Sequence, residues 1–191
     1  MKKIILASLL LALGIVATTA NSALVTLNDT QTQTVSSQDF NFNFSGLASS
    51  DGTGGTFVLH AQGDYDGLVT ETLGWDIDGL LSESAVGGFV GGAGGVGGPF
   101  DFVNVFQSLG NIEFQRTYAI SAAVLDAILA DGMLNIFVNL ADDVGLFQPP
   151  NFVEVTLSYN SGVSEVPVPA ALFMFAPALL GFLGLRRRTK V

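Results

Sequence analysis

Three stretches of this chain alternate apolar and polar side chains with a period of two, and they set the class of fold it can adopt. Phe40, Phe42 and Phe44 alternate with Asn41 and Asn43; Leu134, Ile136, Val138 and Leu140 alternate with Asn135, Phe137 and Asn139; Val153, Val155, Leu157 and Tyr159 share one face of the run that starts at Phe152. Successive strand side chains point to opposite faces, so this period predicts strands buried on one side. Thr56 to Gln62 adds another, with Phe57, Leu59 and Ala61 on one face and Val58 and His60 on the other. With Leu24–Leu27, Leu68–Ile77, Phe100–Phe106 and Asn111–Ile120 the total is about eight strands, at the turn spacing of an all-β fold. The Asn111 run places Ile112, Phe114, Arg116 and Tyr118 on one side.

Turn chemistry separates these runs. Ser49–Gly55, Gly63-Asp64-Tyr65-Asp66-Gly67, Asp76-Ile77-Asp78-Gly79, Asp142-Asp143 and Pro149-Pro150 are all rich in turn formers. Asn28–Gln38 is polar and reads as a loop or a weak edge. Gly87–Gly98 holds eight glycines in twelve residues, too much chain entropy for a regular element, and reads as a flexible loop laid against a partner surface. One helix interrupts the strands: Ser121 is placed to cap it, Val124, Leu125, Ile128 and Leu129 form its apolar face, and Gly132 ends it. The expected architecture is all-β, an antiparallel β-sandwich of jelly-roll-like winding with one short helix.

Both ends of the chain carry addresses. Lys2 and Lys3 precede the apolar run Ile4–Val16, and the small residues of Ala17–Ala23 offer cleavage after Ala20 or Ala23. That is the layout of a secretory signal-peptide helix, residues 1–23. At the other end, Val166 to Leu185 is 20 residues without a charge, followed by Arg186, Arg187, Arg188, Thr189 and Lys190. A helix of that length reaches roughly 30 Å, one hydrocarbon thickness. Basic residues gather on the cytoplasmic side, so a transmembrane helix over 168–185 and a basic cluster over 186–190 put the C-terminus inside and the body, 24–160 with a tether at 161–165, outside.

The order Val166-Pro167-Val168-Pro169, apolar span, terminal Arg186-Arg187-Arg188 and Lys190 resembles the PEP-CTERM sorting tail of Gram-negative bacteria. In that family an acidic residue usually stands between the two prolines, where this chain has Val168. The resemblance covers residues 166–191 and implies export, transient retention in the inner membrane, and cleavage near the motif by an exosortase-type enzyme. It also implies a destination at the cell surface or in an extracellular polysaccharide (biofilm) matrix.

Charge excludes several functions. All 17 acidic residues lie between the two membrane-addressed ends, against one cation, Arg116, so that region carries a formal −16 with His60 neutral. Nucleic-acid phosphates and anionic lipid surfaces both call for Lys and Arg, so neither is an expected partner. There is no cysteine, so an exported body must hold together without disulfides.

Chemistry is sparse. His60 is the only histidine and sits mid-strand, and no G-x-S-x-G elbow exists, so nucleophilic catalysis has little to build on. One His and no Cys give no set of nitrogen and sulfur ligands for a transition metal. Oxygen ligands are present: Asp64 with Asp66, and Asp76 with Asp78, form two D-x-D pairs in turns, and calcium is the candidate ion, though the same residues are ordinary turn formers. The expected function is therefore non-enzymatic, at the cell surface or in the matrix. The alternative is a carbohydrate-binding module using calcium, with Trp75, Tyr65, Phe100 and Phe102 as a sugar platform if these rings face outward rather than into the core.

Overall fold

Antiparallel pairs nested inside one another organise the chain. The structure, a computed structural model, describes residues 22–162 other than 66, 68, 91–93, 107–110 and 147–149; the side chains of 104–106 also fall outside the description. Residues 1–21 and 163–191 fall outside it too, and with them the expected signal peptide, sorting motif, apolar span and basic cluster. Among the described residues no helix is long and apolar enough to cross a membrane.

The elements are β1 (Ala23–Thr32), β2 (Asp39–Ser45), β3 (Ser50–Asp64), β4 (Thr72–Ile77), β5 (Leu81–Gly87), β6 (Asp101–Phe106), β7 (Asn111–Ile120), α1 (Ala122–Ile128), β8 (Met133–Leu140) and β9 (Phe152–Ser161). β1 pairs with β9, β2 with β8, β3 with β7 and β4 with β5, as in one long hairpin rolled up. Lateral pairs β3–β9 and β4–β8 close two sheets, β1-β9-β3-β7-β6 and β2-β8-β4-β5. With β6 set aside as an added edge strand, this is the eight-stranded winding of a jelly roll. The described residues therefore form the expected all-β sandwich with one short helix.

The alternating runs land as their period demands. Phe40 and Phe42 of β2, Leu134, Ile136, Val138 and Leu140 of β8, and Val153, Val155, Leu157 and Tyr159 of β9 are all buried, while Asn135, Phe137 and Asn139 face out. Phe57, Leu59 and Ala61 line the inner face of β3. Two aromatic clusters fill the space between the sheets. Phe57, Trp75 and Tyr118 meet at centroid distances of 4.7 to 5.8 Å, and the Trp75 indole donates to the Tyr118 hydroxyl at 3.1 Å. Phe89 packs on Phe100, Phe102 and Phe114 at 4.8, 4.9 and 5.0 Å. Edge-to-face rings at these separations add to simple burial. α1 lays Leu125, Ile128 and Leu129 over one end of the core; Ser121 takes the extended N-cap backbone but its hydroxyl makes no cap bond.

Several local expectations are corrected. Ser49–Gly55 is no separate turn: from Ser50 onward it is the start of β3, carried with a register shift against β9. Gly54 is required there, because a Cβ would stand 2.4 Å from the Ile120 carbonyl oxygen. β1 continues from the expected Leu27 to Thr32, as an edge strand, and β9 runs on to Ser161, taking in the first tether residue. β4 begins at Thr72 rather than Leu68, and a ninth strand, β5, was not foreseen. The glycine-rich stretch folds onto its own body: Phe89 is fully buried, and Gly87 bridges Val96. Burying the Phe89 ring, worth about 1.5–3 kcal/mol, offsets part of the chain entropy that its glycine neighbours lose.

Candidate functional site

Three polar arrangements stand out from the scaffold. The D-x-D pairs come first. Asp76 accepts from the Gly79 amide at 2.7 Å, and Asp78, at a positive φ of 50°, accepts from the Asn135 side-chain amide at 2.9 Å. Both carboxylates thus serve the β4–β5 hairpin and its tie to β8, which is the work of turn residues. Asp64 ends β3 opposite Asn111, at the start of β7, whereas Asp78 lies beside Asn135, after β7 has ended. Ten residues of β7, about 33 Å of strand, separate the two ends, so the pairs do not converge on one ion. Asp66 lies outside the described residues. Among the described residues no group of three or more His, Asp and Glu is placed to hold a metal.

The second arrangement is on the outer face of the five-stranded sheet. Register puts His60 of β3 between Gln115 of β7 and Glu154 of β9. Its Nε2 lies 2.9 Å from Glu113 Oε1 and its Nδ1 2.9 Å from Glu154 Oε2. A neutral imidazole carries one N–H, so only the imidazolium donates to both carboxylates. Burial pushes the Glu154 carboxyl up, but the Asn28 amide and His60 together hold it below the usual range. With both ring nitrogens engaged, His60 has none left to activate a nucleophile in this arrangement.

The third arrangement is a groove on the outer face of the four-stranded sheet, about 570 Å³, whose lining runs over Gly74–Asp76, Ser82–Ser84, Phe137 and Asn139. Across the sheet Asn41, Phe137, Asp76 and Ser82 stand in one cross-strand row, and Asp39, Asn139 and Gly74 in the next. Asn139 donates to Asp39 at 2.9 Å. Phe137 is 40% exposed in the middle of amides, hydroxyls and carboxylates. An exposed ring flanked by hydrogen-bonding groups can stack on the C–H face of a sugar while its neighbours meet the hydroxyls. The rings expected to form such a platform do not: Trp75 and Tyr65 are core residues, 3% and 1% exposed, and Phe100 packs against the same core. Phe102 is 42% exposed at its edge.

Arg116, the body's single arginine, is a structural hub. It pairs with Glu83 at 2.8 Å and lies over the Tyr118 and Phe100 rings at 4.7 and 5.5 Å. Gly98 wraps it so closely that a Cβ there would meet Nη2 at 2.8 Å. Sequence reasoning placed Phe137 on the polar face and could have flagged an aromatic between two asparagines. It missed Ser82 and Ser84 with the strand that carries them, and nothing local links Glu113, His60 and Glu154, which only strand register joins. Compared with known protein families, with characterised proteins and with solved structures, the chain has no match.

Proposed function

We propose that this is an exported, non-enzymatic protein of the cell surface or extracellular polysaccharide matrix, delivered by its C-terminal tail. The observation that carries the reading is the tail itself: a Pro-containing motif at Val166–Pro169, an uncharged span to Leu185 and a terminal cluster of Arg186, Arg187, Arg188 and Lys190. The exporting partner would be an exosortase-type enzyme, with the inner membrane as a transient stop. The body's geometry is compatible with processing at both ends. Ala23 pairs with Ser161, so the chain enters and leaves the sandwich at neighbouring positions, and trimming either address leaves the nested pairs intact. The same pair favours signal cleavage after Ala20 over Ala23, because the second cut would remove a residue of the β1 ladder. Cell fractionation with and without Val166–Val191, and the mass of the mature product, test the reading. A mature N-terminus at Asn21 and loss of surface delivery on truncation support it; unprocessed full-length chain in the cytoplasm overturns it.

A second reading, a carbohydrate-binding module at the same location, is favoured by the Phe137 groove. It calls on no calcium at the groove, since Asp76 is engaged by Gly79 of its own hairpin and Asp78 by Asn135 of β8. Phe137→Ala should abolish retention of the protein on a polysaccharide column while leaving its melting temperature within a few degrees. Equal retention of the variant removes this reading.

A further inference from the structure

We propose that the free edge of β1 is a homotypic docking surface, at which two copies of this chain pair their first strands antiparallel about Thr26 and join their five-stranded sheets into one. Among the described residues, β1 has a single neighbour, β9, and the ladder between them is unbroken from Ala23 to Thr32. The direction of its backbone groups follows from two bonds. Gln33, continuing the same register, donates its amide to Asn151, so odd-numbered residues face β9. The Thr30 amide goes instead to the Asp29 side chain, so even-numbered residues face outward. The outward amides and carbonyls of Leu24, Thr26 and Asn28 therefore form a window with no strand beside it among the described residues.

The other three edges are blunted, as edges in stable proteins are. β2 has its Asn41 carbonyl taken by the Gln31 side chain at 2.9 Å. β5 borders a register shift at Leu73/Trp75 and holds Ala85 at a φ of 63°. β6 is shifted against β7 between Phe102 and Asn104. The window in β1 has no proline, no bulge and no charge.

Its sequence is also its own complement. An antiparallel pair centred on Thr26 sets Leu24 opposite Asn28 of the second copy, Thr26 opposite Thr26, and Val25 opposite Leu27 on the core-facing side. That exchanges about six backbone hydrogen bonds, two for each outward-facing residue. Asp29, the one charge of β1, falls opposite Ala23, so no like charges meet. The contact is isologous and closes on itself, giving a dimer and not a fibre. Leu24, 71% exposed, is covered by it.

The chain has no cysteine, so Thr26→Cys places a single thiol on the two-fold axis. Full-length Thr26→Cys and a control, Leu80→Cys at the exposed β4–β5 turn, are purified in mild detergent and oxidised. The proposal expects covalent dimer at least tenfold faster from the first; equal rates overturn it, whatever the mass of the wild-type particle. A charge swap makes the same test without oxidation. Thr26→Lys and Thr26→Glu each oppose like charges and should lower the dimer fraction, and a one-to-one mixture should restore it as a heterodimer. Restoration also shows that the variants fold; a mixture no more associated than its components overturns the proposal. Neither arm depends on export or on sugar binding.

Discussion

Phe89 is the residue on which the placement of the glycine-rich stretch turns. Its ring is fully buried and touches Phe100, Phe102 and Phe114, and its amide donates to the Tyr65 carbonyl at 2.6 Å. Phe89→Ala removes that ring and leaves a void that Gly88 beside it and Gly95 against the ring have no side chains to fill. Large-to-small changes of this kind cost about 3–5 kcal/mol. With a urea m-value of about 2 kcal/mol/M, the unfolding midpoint should fall by roughly 1.5–2.5 M at an unchanged slope. Trp75 is the chain's only tryptophan and is 3% exposed, so its emission reports the body alone, even in the full-length protein. Val90→Ala, one residue on and 54% exposed, is the control and should stay within about 0.5 kcal/mol. If the two variants unfold at the same urea concentration, Phe89 does not anchor the stretch.

Arg116→Met leaves Glu83 without its cation and should cost about 2–4 kcal/mol by thermal unfolding, less than a fully buried pair because both side chains keep some exposure; adding Glu83→Gln should recover part of it. Burial raises all three tyrosines, Tyr65, Tyr118 and Tyr159, above their usual range. A raised folded-state value contributes stability that is complete below the unfolded value near 10 and fades above it, so absorbance at alkaline pH should show tyrosinate appearing only with unfolding; a reversible step near pH 10 in the folded protein contradicts the burial. Glu154 is shifted the other way, so its contribution is present above the unfolded value and is lost as pH falls through the lower folded one. Asn28→Ala, which removes an amide 2.5 Å from Glu154, should therefore be slightly destabilised at pH 6, by under about 1 kcal/mol, with the gap closing as the pH falls through the lowered Glu154 value; a gap that widens in acid would reverse the assignment.

The class of fold was legible because a strand reports its buried face with a period of two. β2, β8 and β9 could be read with the inner residues named, and β3 with its inner face, since each alternates over at least five residues. β5 escaped because Leu81–Gly87 alternates weakly and ends in glycine, and Ser50–Gly55 misled because its turn formers sit inside β3 as an irregularity between two residues, Ser50 and Gly55, that both pair with β9. Local propensity is a weak prior beside an available ladder. The aromatic side chains show the same division. Composition supplied twelve phenylalanines for a body without disulfides, but not which would be covered: Phe89 went in from a run of glycines, while Phe137 stayed out on a strand whose Leu134, Ile136, Val138 and Leu140 are buried.

What the chain's order of residues determined alone is what depends on neighbours a few positions apart: most of the strands, and the acidic charge of the body they build. What needed the tertiary structure is everything that joins residues distant in sequence. His60 meets Glu113 and Glu154, Arg116 meets Glu83, and β1 is left with one side open, because the pairing of nine strands, and not any local pattern, decides which side chains and which backbone edges come to lie together.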